Sequence, residues 1–413
     1  FPAWDPIEIH FSRPMDTVSV LASVVFSPSA NFEGYWFDNQ TLILTSESLL
    51  FETDYILTIF DEAHDVYGHS MDGDQNGESG GDFQLHFRTG PADMIPPEIV
   101  NIFPPNVAQN IEIFPIINIQ FDEIIINNND LQNFFFLERF YDHSSVEGEI
   151  IYYTVGEKSS ICFFPSQELF PNEVYVTRLY SGIMDYFDNV IDIDQAFSFQ
   201  TGNWTYDITD IDALESNIEQ DWWEPQLSGS TMGIISDSTW MQANSEIINL
   251  LYESNNSMEL AYGWNLNDDQ WLIRVYLSNG NATNVIFNNS VMMQAYVFGD
   301  GSGNSFRFCV DDNISSNNAD HEVSPWYLLD WVGWKLISWD MDTDGLGEWI
   351  GDGNLGGNIK FDSFQLSHVE GQSQFGKIYI DDLRIVNHLD LSLLDYPDLP
   401  INMKLGGNYP NPF

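Results

Sequence analysis

The chain has 413 residues, with 63 Asp and Glu against 12 Lys and Arg, a formal charge of −51. So acidic a surface repels nucleic acid and anionic membrane alike, and no stretch approaches the roughly 18 apolar residues of a membrane helix. This argues against nucleic-acid partners and membrane insertion. Hydrophobic content of 43% and aromatic content of 15% mark a globular chain, long enough for two to four domains, each with its own core.

The apolar residues favour Phe, Ile, Tyr, Trp and Val, set in short runs between Asn, Asp and Gly turns, which reads as strands throughout. Charge of this size is tolerable where salt screens it or divalent cations neutralise it, and both conditions suit an extracellular setting. Cys162 and Cys309 fall in different predicted domains and are expected to be buried thiols, with an inter-domain disulfide as the alternative. The chain opens at Phe1 without Met or a basic-then-apolar leader, so its start is expected to be processed or partial.

In chain order, residues 1–202 contain a repeat. Pro6-Ile7-Glu8-Ile9-His10-Phe11 answers to Pro115-Ile116-Ile117-Asn118-Ile119-Gln120-Phe121, Leu50-Phe51 to Leu169-Phe170, and Phe87-Arg88-Thr89-Gly90 to Phe199-Gln200-Thr201-Gly202. The period of about 110 residues is that of one sandwich domain, and each copy alternates apolar and polar residues as half-buried strands do. The segment from Ile7 to Asp16, IEIHFSRPMD, with the later TDYILTI and FRTG, resembles the bacterial Ig-like domains of S-layer and other surface proteins. The resemblance implies spacer or structural modules over 1–93 and 94–203. The second copy departs from it at Phe121-Asp122-Glu123-Ile124. The first copy lacks a counterpart to residues 96–113, the expected opening strand. Either preceding residues are absent from this chain or another chain donates that strand.

Within the first copy, Asp72, Asp74, Asn76, Glu78 and Asp82 place hard oxygens at alternate positions around Gly77, a pattern suited to calcium. The EF-hand pattern fails at its last ligand, since Phe83 stands where the bidentate Glu belongs. The alternative is a solvated acidic hairpin loop. The second copy has Asp185, Asp188, Asp192 and Asp194 in the corresponding loop, without the Gly.

From Trp204 to Val386 the strands lengthen. Those expected are 257–264, 271–277, 291–298, 305–310, 334–339, 360–366 and 377–385, enough for a jelly roll. DWVGWKLISWDM (330–341), IKFDSFQL (359–366) and GKIYIDDLRI (376–385) resemble carbohydrate-binding-module-like jelly rolls of secreted bacterial proteins. That resemblance implies a structural calcium between an early acidic residue, Glu215, and the last strand, at Asp381-Asp382. Asp382 is favoured because neighbouring strand residues face opposite sides. Asp340, Asp342 and Asp344, followed by Gly345, form a further calcium candidate. Sugar recognition needs flat apolar platforms flanked by polar groups, and the loop-adjacent Trp222, Trp223, Trp326 and Trp349 are the candidates. In 334–339 neither Trp334 nor Trp339 is free by pattern.

After a linker at 387–404 the chain ends LGGNYPNPF, so that 387–413 resembles a linker and the start of the type IX secretion C-terminal sorting domain, implying contact with that secretion machinery and a place outside the cell. Catalytic signals are sparse: His pairs at metal spacing and a G-x-S-x-G elbow are missing, and neither Cys has an adjacent base. The sequence therefore predicts an all-β, non-catalytic protein of the cell exterior: two Ig-like sandwiches, then a jelly roll. It binds an extracellular glycan or cell-surface polymer for adhesion, with structural calcium. The alternative is a subunit of an extracellular filament or sheath, self-associating by strand donation.

Overall fold

The computed structural model describes residues 3, 6–37, 39–46, 49–74, 76–126, 131–252, 254–277, 285–314 and 320–391. It is all-β and separates into two compact units, Phe1–Ile95 and Pro96–Phe413. The linker and sorting-domain reading of the C-terminus falls, from residue 392 onward, outside the described residues.

In the first unit β1 (Ile7–His10) leads to a short helix α1 (Thr17–Ala22), capped by the Asp16 carboxylate accepting from Ser19 N at 2.8 Å. There follow β2 (Val24–Ser27), β3 (Glu33–Trp36), β4 (Thr41–Thr45), β5 (Asp54–Ile59) and β6 (Phe83–Arg88). They form two three-stranded sheets, β1-β4-β3 and β2-β5-β6. Val24 and Phe26 turn inward and Val25 and Ser27 outward, the period-two pattern that buries one face.

The second unit begins with β7 (Ile99–Phe103), β8 (Ala108–Ile111), β9 (Ile117–Phe121) and β10 (Phe135–Arg139). It continues with β11 (Gly148–Val155), β12 (Lys158–Pro165), β13 (Val174–Leu179) and β14 (Gln195–Thr201). The sheets are β11-β12-β9-β7 and β10-β13-β14-β8. Side-chain contacts repeat between the copies. Tyr55 Oη accepts from Leu50 N at 2.9 Å and Tyr175 Oη from Phe170 N at 2.8 Å. Thr89 Oγ1 donates to Leu50 O and Thr201 Oγ1 to Phe170 O, each at 2.6 Å. Among the described residues the second copy has two strands without a counterpart in the first, β7 on the edge of β9 and β8 parallel to β14.

The jelly roll comprises β15 (Trp204–Asp212), β16 (Trp240–Asn244), β17 (Ser257–Gly263), β18 (Ile273–Tyr276), β19 (Met292–Asp300) and β20 (Ser305–Asp312). It closes with β21 (Asp320–Val323), β22 (Tyr327–Leu328), β23 (Val332–Asp340), β24 (Lys360–Ser367) and β25 (Phe375–Asp390). One sheet runs β16-β17-β25-β19-β23, with β15 also on β25; the other runs β18-β24-β20-β21, with β22 on β20. Between them lies a core that includes Trp222, Trp264, Trp339, Phe306, Phe308 and Phe364.

The boundary expected at 203–204 falls inside one compact unit. The outer face of the first jelly-roll sheet, through Tyr296, Phe298 and Trp334, packs on Ile116, Tyr153, Cys162 and Phe164 of the sandwich. Asn118 Nδ2 donates to Val332 O at 2.8 Å, and Val332 N donates to Gln120 Oε1 at 3.1 Å. This explains why β9 is buried on both faces and leaves the second jelly-roll sheet as the one whose outer face the sandwich does not cover.

Candidate functional site

On that second sheet Ile273, Val275, Phe306, Phe308, Val310, Phe361, Phe364 and Leu366 point into the core. Alternation, interrupted by a bulge at Asp362, therefore turns Arg274, Tyr276, Asp362, Ser363, Gln365, Arg307, Cys309 and Asp311 outward. Register sets Arg274, Gln365 and Arg307 in one row and Tyr276, Ser363 and Cys309 in the next. Arg274 Nη2 donates to Asp362 Oδ1 at 2.5 Å. Arg307 Nε donates to Gln365 Oε1 at 2.9 Å and its Nη1 to Glu348 O at 3.1 Å. Lys360 Nζ lies 3.1 Å from Asp311 Oδ2, and the His321 ring meets the same carboxylate.

Aromatic rings frame this polar face. Trp223, 41% exposed, packs 4.6 Å from the Tyr276 ring at one edge. Trp326, 39% exposed, lies over the Arg307 guanidinium at 3.9 Å. Half-buried Trp349 reaches across from the 341–358 loop, its ring 5.7 Å from His321 and 5.5 Å from the Arg274 guanidinium. The loop is pinned by Glu348 O on Arg307 and by Gly353 N on Glu322 Oε1 at 2.8 Å, with Gly353 in the left-handed region at φ +78°. Trp222 is a correction: it is 2% exposed and stacks flat on Phe364 at 5.1 Å. Its bridge to Leu277 gives it strand geometry, so one member of the Trp222-Trp223 pair points in and the other out.

Burial pushes the Arg307 guanidinium down to about 10, while the Asp311 carboxylate raises the His321 imidazole. Cys309, His321 and Asp362 bring ligand atoms within 4.8 Å of one another. The Asp311 and Asp362 charges there are already met by Lys360, His321 and Arg274, and burial holds the Cys309 thiol far above its ordinary range. That electrostatic balance disfavours an added cation, and the inaccessible thiol disfavours a nucleophile. Both cysteines are free and buried, and burial pushes Cys162 up to about 12.

The acidic candidates divide. Ile378 and Ile380 of β25 face the core, so regular alternation would drive Asp382 into it; instead Asp382 sits at φ +50° in a bulge, and Leu383 and Ile385 resume the core face. Asp381 and Asp382 consequently lie side by side, both reaching Asn249, and do not face opposite sides as regular alternation implies. Asn249 N donates to Asp381 Oδ2 at 3.2 Å and its Nδ2 to Asp382 Oδ2 at 2.8 Å; Ser254 Oγ donates to Asp381 Oδ2 at 2.9 Å. Burial raises both carboxyls. Asp382 adds its repulsion on Asp381, and Asp210 and Glu215 add theirs on Asp382 against the pull of Arg384. Glu215 binds Asn255 N at 3.0 Å and does not converge with the pair to within 4.8 Å.

In the 72–82 loop Asp72 accepts from Asn76 N at 3.0 Å and Gly77 N at 2.9 Å, Asp74 accepts from Asn76 Nδ2 at 3.0 Å, and Glu78 N donates to Asn76 Oδ1 at 2.7 Å. Asp82 accepts from Asp61 N at 3.0 Å, a turn contact that recurs between Asp194 and Ser181 N at 2.8 Å. Asp185 is spent on its own loop, accepting from Phe187 N and Asn189 N. At 340–344 Asp340 accepts from Asp342 N at 3.0 Å and Asp344 from Asp340 N at 2.8 Å, closing the turn on itself.

A model of the bacterial Ig-like domain matches residues 93–201. No curated protein matches the chain. Among solved structures, the family 11 carbohydrate-binding module of a cellulosomal cellulase of Clostridium thermocellum is 16% identical, over 43% of this chain and 93% of that one, with a TM-score of 0.29. A Caldicellulosiruptor saccharolyticus carbohydrate-binding module in complex with mannohexaose is 11% identical over 43% and 96%, with a TM-score of 0.28. The N-terminal part of a bacterial S-layer protein is 9% identical over 41% of each chain, with a TM-score of 0.22.

Proposed function

We propose that this is a non-catalytic glycan-binding protein of the cell exterior, its jelly roll holding the ligand and its sandwiches acting as spacers. The observation that carries the reading is the outer side of the second jelly-roll sheet, which the sandwich does not cover and where Trp223 and Trp326 are 41% and 39% exposed. There Trp223, Trp349 and Trp326 flank a row of polar side chains, Arg274, Asp362, Gln365 and Arg307, of which Asp362, Gln365 and Arg307 are buried and bonded within the protein. Exposed rings of this kind stack on the apolar face of a pyranose, and the arginines of the row hold Trp326 and Trp349 in place. A charge of −51 repels polyanions, so the ligand is a neutral polysaccharide. Affinity electrophoresis of the full chain through neutral glucans, mannans and xylans tests this. Retardation by one class, lost in Trp326→Ala and Trp223→Ala, is expected; free migration through all of them sinks the reading.

Calcium belongs to the same proposal. Asp381 and Asp382, with the Asn249 carbonyl and Glu215 turning in from Asn255, would supply the oxygen-rich set a hard cation requires. Export by the type IX route rests on the sequence at 405–413. Filament assembly is the second reading, motivated by the edges of β1 and β6, which among the described residues carry no further strand; negative-stain microscopy with and without a chelator tests it, and dispersed particles in both conditions would remove it.

A further inference from the structure

The inner side of the second jelly-roll sheet ends in acids. On β20, Phe306, Phe308 and Val310 point into the core, so Asp312, two residues further on, turns to the same side. The antiparallel β21 sets Glu322 opposite Val310 and Asp320 opposite Asp312, which puts all three carboxylates on one face. Asp312 is 1% exposed and Glu322 2%. The loop that carries Trp349 is tied to them further along, since Gly356 N donates to Asp312 Oδ2 at 3.0 Å and Gly353 N to Glu322 Oε1 at 2.8 Å. That stretch also brings in Asp352, which accepts from Asn354 N at 2.9 Å.

These acids lack what balances their neighbours across the sheet. On the outer side Arg274 meets Asp362, and Lys360 and His321 meet Asp311. Among the described residues no ion pair reaches Asp312, Asp320, Glu322 or Asp352. Asp312 Oδ2 also accepts from Asn313 Nδ2 at 2.8 Å, but its Oδ1 is buried without a hydrogen-bond partner. Burial raises the Asp312 and Glu322 carboxyls; Asp352 and Asp320 add their repulsion on Asp312, and Asp312 and Asp352 add theirs on Glu322. Like charges directly opposite on a ladder destabilise it, and a buried oxygen without a partner costs more still.

We propose that this end of the sheet is a second calcium site of the jelly roll, built on Asp312 Oδ1 and Glu322 with Asp320 and Asp352 around them. Donors that are all oxygen select a hard divalent cation. The carboxylates do not all come within 4.8 Å of one another, so backbone carbonyls, Asn amide oxygens and water complete the shell, and the loop tightens as the ion enters. An ion that must draw its ligands together binds in the range of about 10⁻⁴–10⁻³ M found in extracellular modules, more weakly than at Asp381-Asp382, where both acids are already gathered on Asn249. Fixing the loop also fixes Trp349; that consequence rests on the glycan reading, whereas the ion itself does not.

Amide hydrogen exchange of the full chain, in chelator and through a titration to millimolar calcium, tests the site without any glycan. At a tenfold excess over the dissociation constant, exchange at 320–323 and 351–358 should slow roughly tenfold, in the wild type and in Asp382→Asn alike. Asp312→Asn keeps an oxygen for Gly356 N and sets an amide where Oδ1 stands, so it should fold in chelator and lose the slowing. Glu322→Gln, which keeps an acceptor for Gly353 N, should lose it too and carries the test where Asp312→Asn fails to fold. No slowing in the wild type, slowing that survives both substitutions, or slowing that vanishes in Asp382→Asn would each overturn the proposal.

Discussion

Asp382→Asn separates what the buried acid pair costs from what it does. Asn is tolerated at φ +50° and can still offer an oxygen to Asn249 Nδ2, so the substitution removes charge and little else. Asp382 is raised on balance despite the attraction of Arg384, so neutralising it relieves the calcium-free fold. Both carboxyls sit above the ordinary value of 3.8. The fold therefore binds protons more tightly than the unfolded chain does, and the stability this confers is complete below 3.8 and lost as pH rises through the raised folded values. Each such carboxyl weakens folding by up to about 1.4 kcal/mol per pH unit in that window. In chelator the wild type should lose ground to Asp382→Asn as pH rises from roughly 4 to 7. Calcium at a hundredfold excess over its dissociation constant adds about 2.7 kcal/mol. For a module of this size that is a rise in melting temperature of roughly 5–11 °C, seen in the wild type and absent in the variant. Scanning calorimetry across pH, with and without calcium, reads both effects. Equal calcium shifts in the two proteins would move the ion elsewhere, with the 72–82 loop next in line. Parallel pH curves in chelator would refute the electrostatic argument itself.

Trp222→Ala should cost about 3–5 kcal/mol in chemical denaturation, whereas Trp326→Ala, on a half-exposed ring, should leave the midpoint nearly unchanged while abolishing retardation by glycan. A Cβ on Gly333, which sits at φ +96°, would come within 2.8 Å of Asn118 Nδ2, Cys162 Sγ and Ser160 Oγ. Gly333→Ala should therefore part the sandwich from the jelly roll, giving two calorimetric transitions and protease cleavage near 202–204; one unaltered transition would count against the contact. Thr89→Val and Thr201→Val should destabilise by similar amounts, about 1–3 kcal/mol each, because each strands the same pair of backbone groups in its own copy.

The repeat was legible because strand register, the tyrosine contact and the threonine contact all recur between the copies, although these contacts equate Leu50 with Phe170 and so shift the Leu50-Phe51 to Leu169-Phe170 match by one residue; the seven main strands of the jelly roll announced themselves by apolar alternation. The 204–212 strand did not: Trp204-Thr205-Tyr206-Asp207-Ile208-Thr209-Asp210 carries acids and threonines and is stabilised by pairing along the upper half of β25, a tertiary effect no local pattern encodes. Trp240–Asn244, Asp320–Val323 and Tyr327–Leu328 were missed for the related reason that short polar edge strands take their conformation from the neighbour. The packing of the sandwich on the jelly roll was equally hidden. Its one local sign was β9, where Ile117-Asn118-Ile119-Gln120-Phe121 buries its polar residues as completely as its apolar ones.

For the site, the decisive step is a phase change that period-two reasoning cannot supply. Alternation assigns Asp381 and Asp382 to opposite faces, which the structure overturns, whereas Trp222 and Trp223, both expected at the surface, are the pair that alternation separates, with Trp222 buried. The difference is one residue at positive φ: where the ladder is regular, neighbours diverge, and where an Asp takes the left-handed conformation the strand resets and two carboxylates converge on one asparagine. Asp tolerates that conformation better than most residues. The Asp-Asp dipeptide between Ile378-Ile380 and Leu383-Ile385 thus held the signal, since apolar residues two apart on each side of it are out of phase by one. A break in alternation marked by paired acids is thus a bulge that gathers charge, and the cost of gathering buried like charge is the physical case for the calcium proposed there.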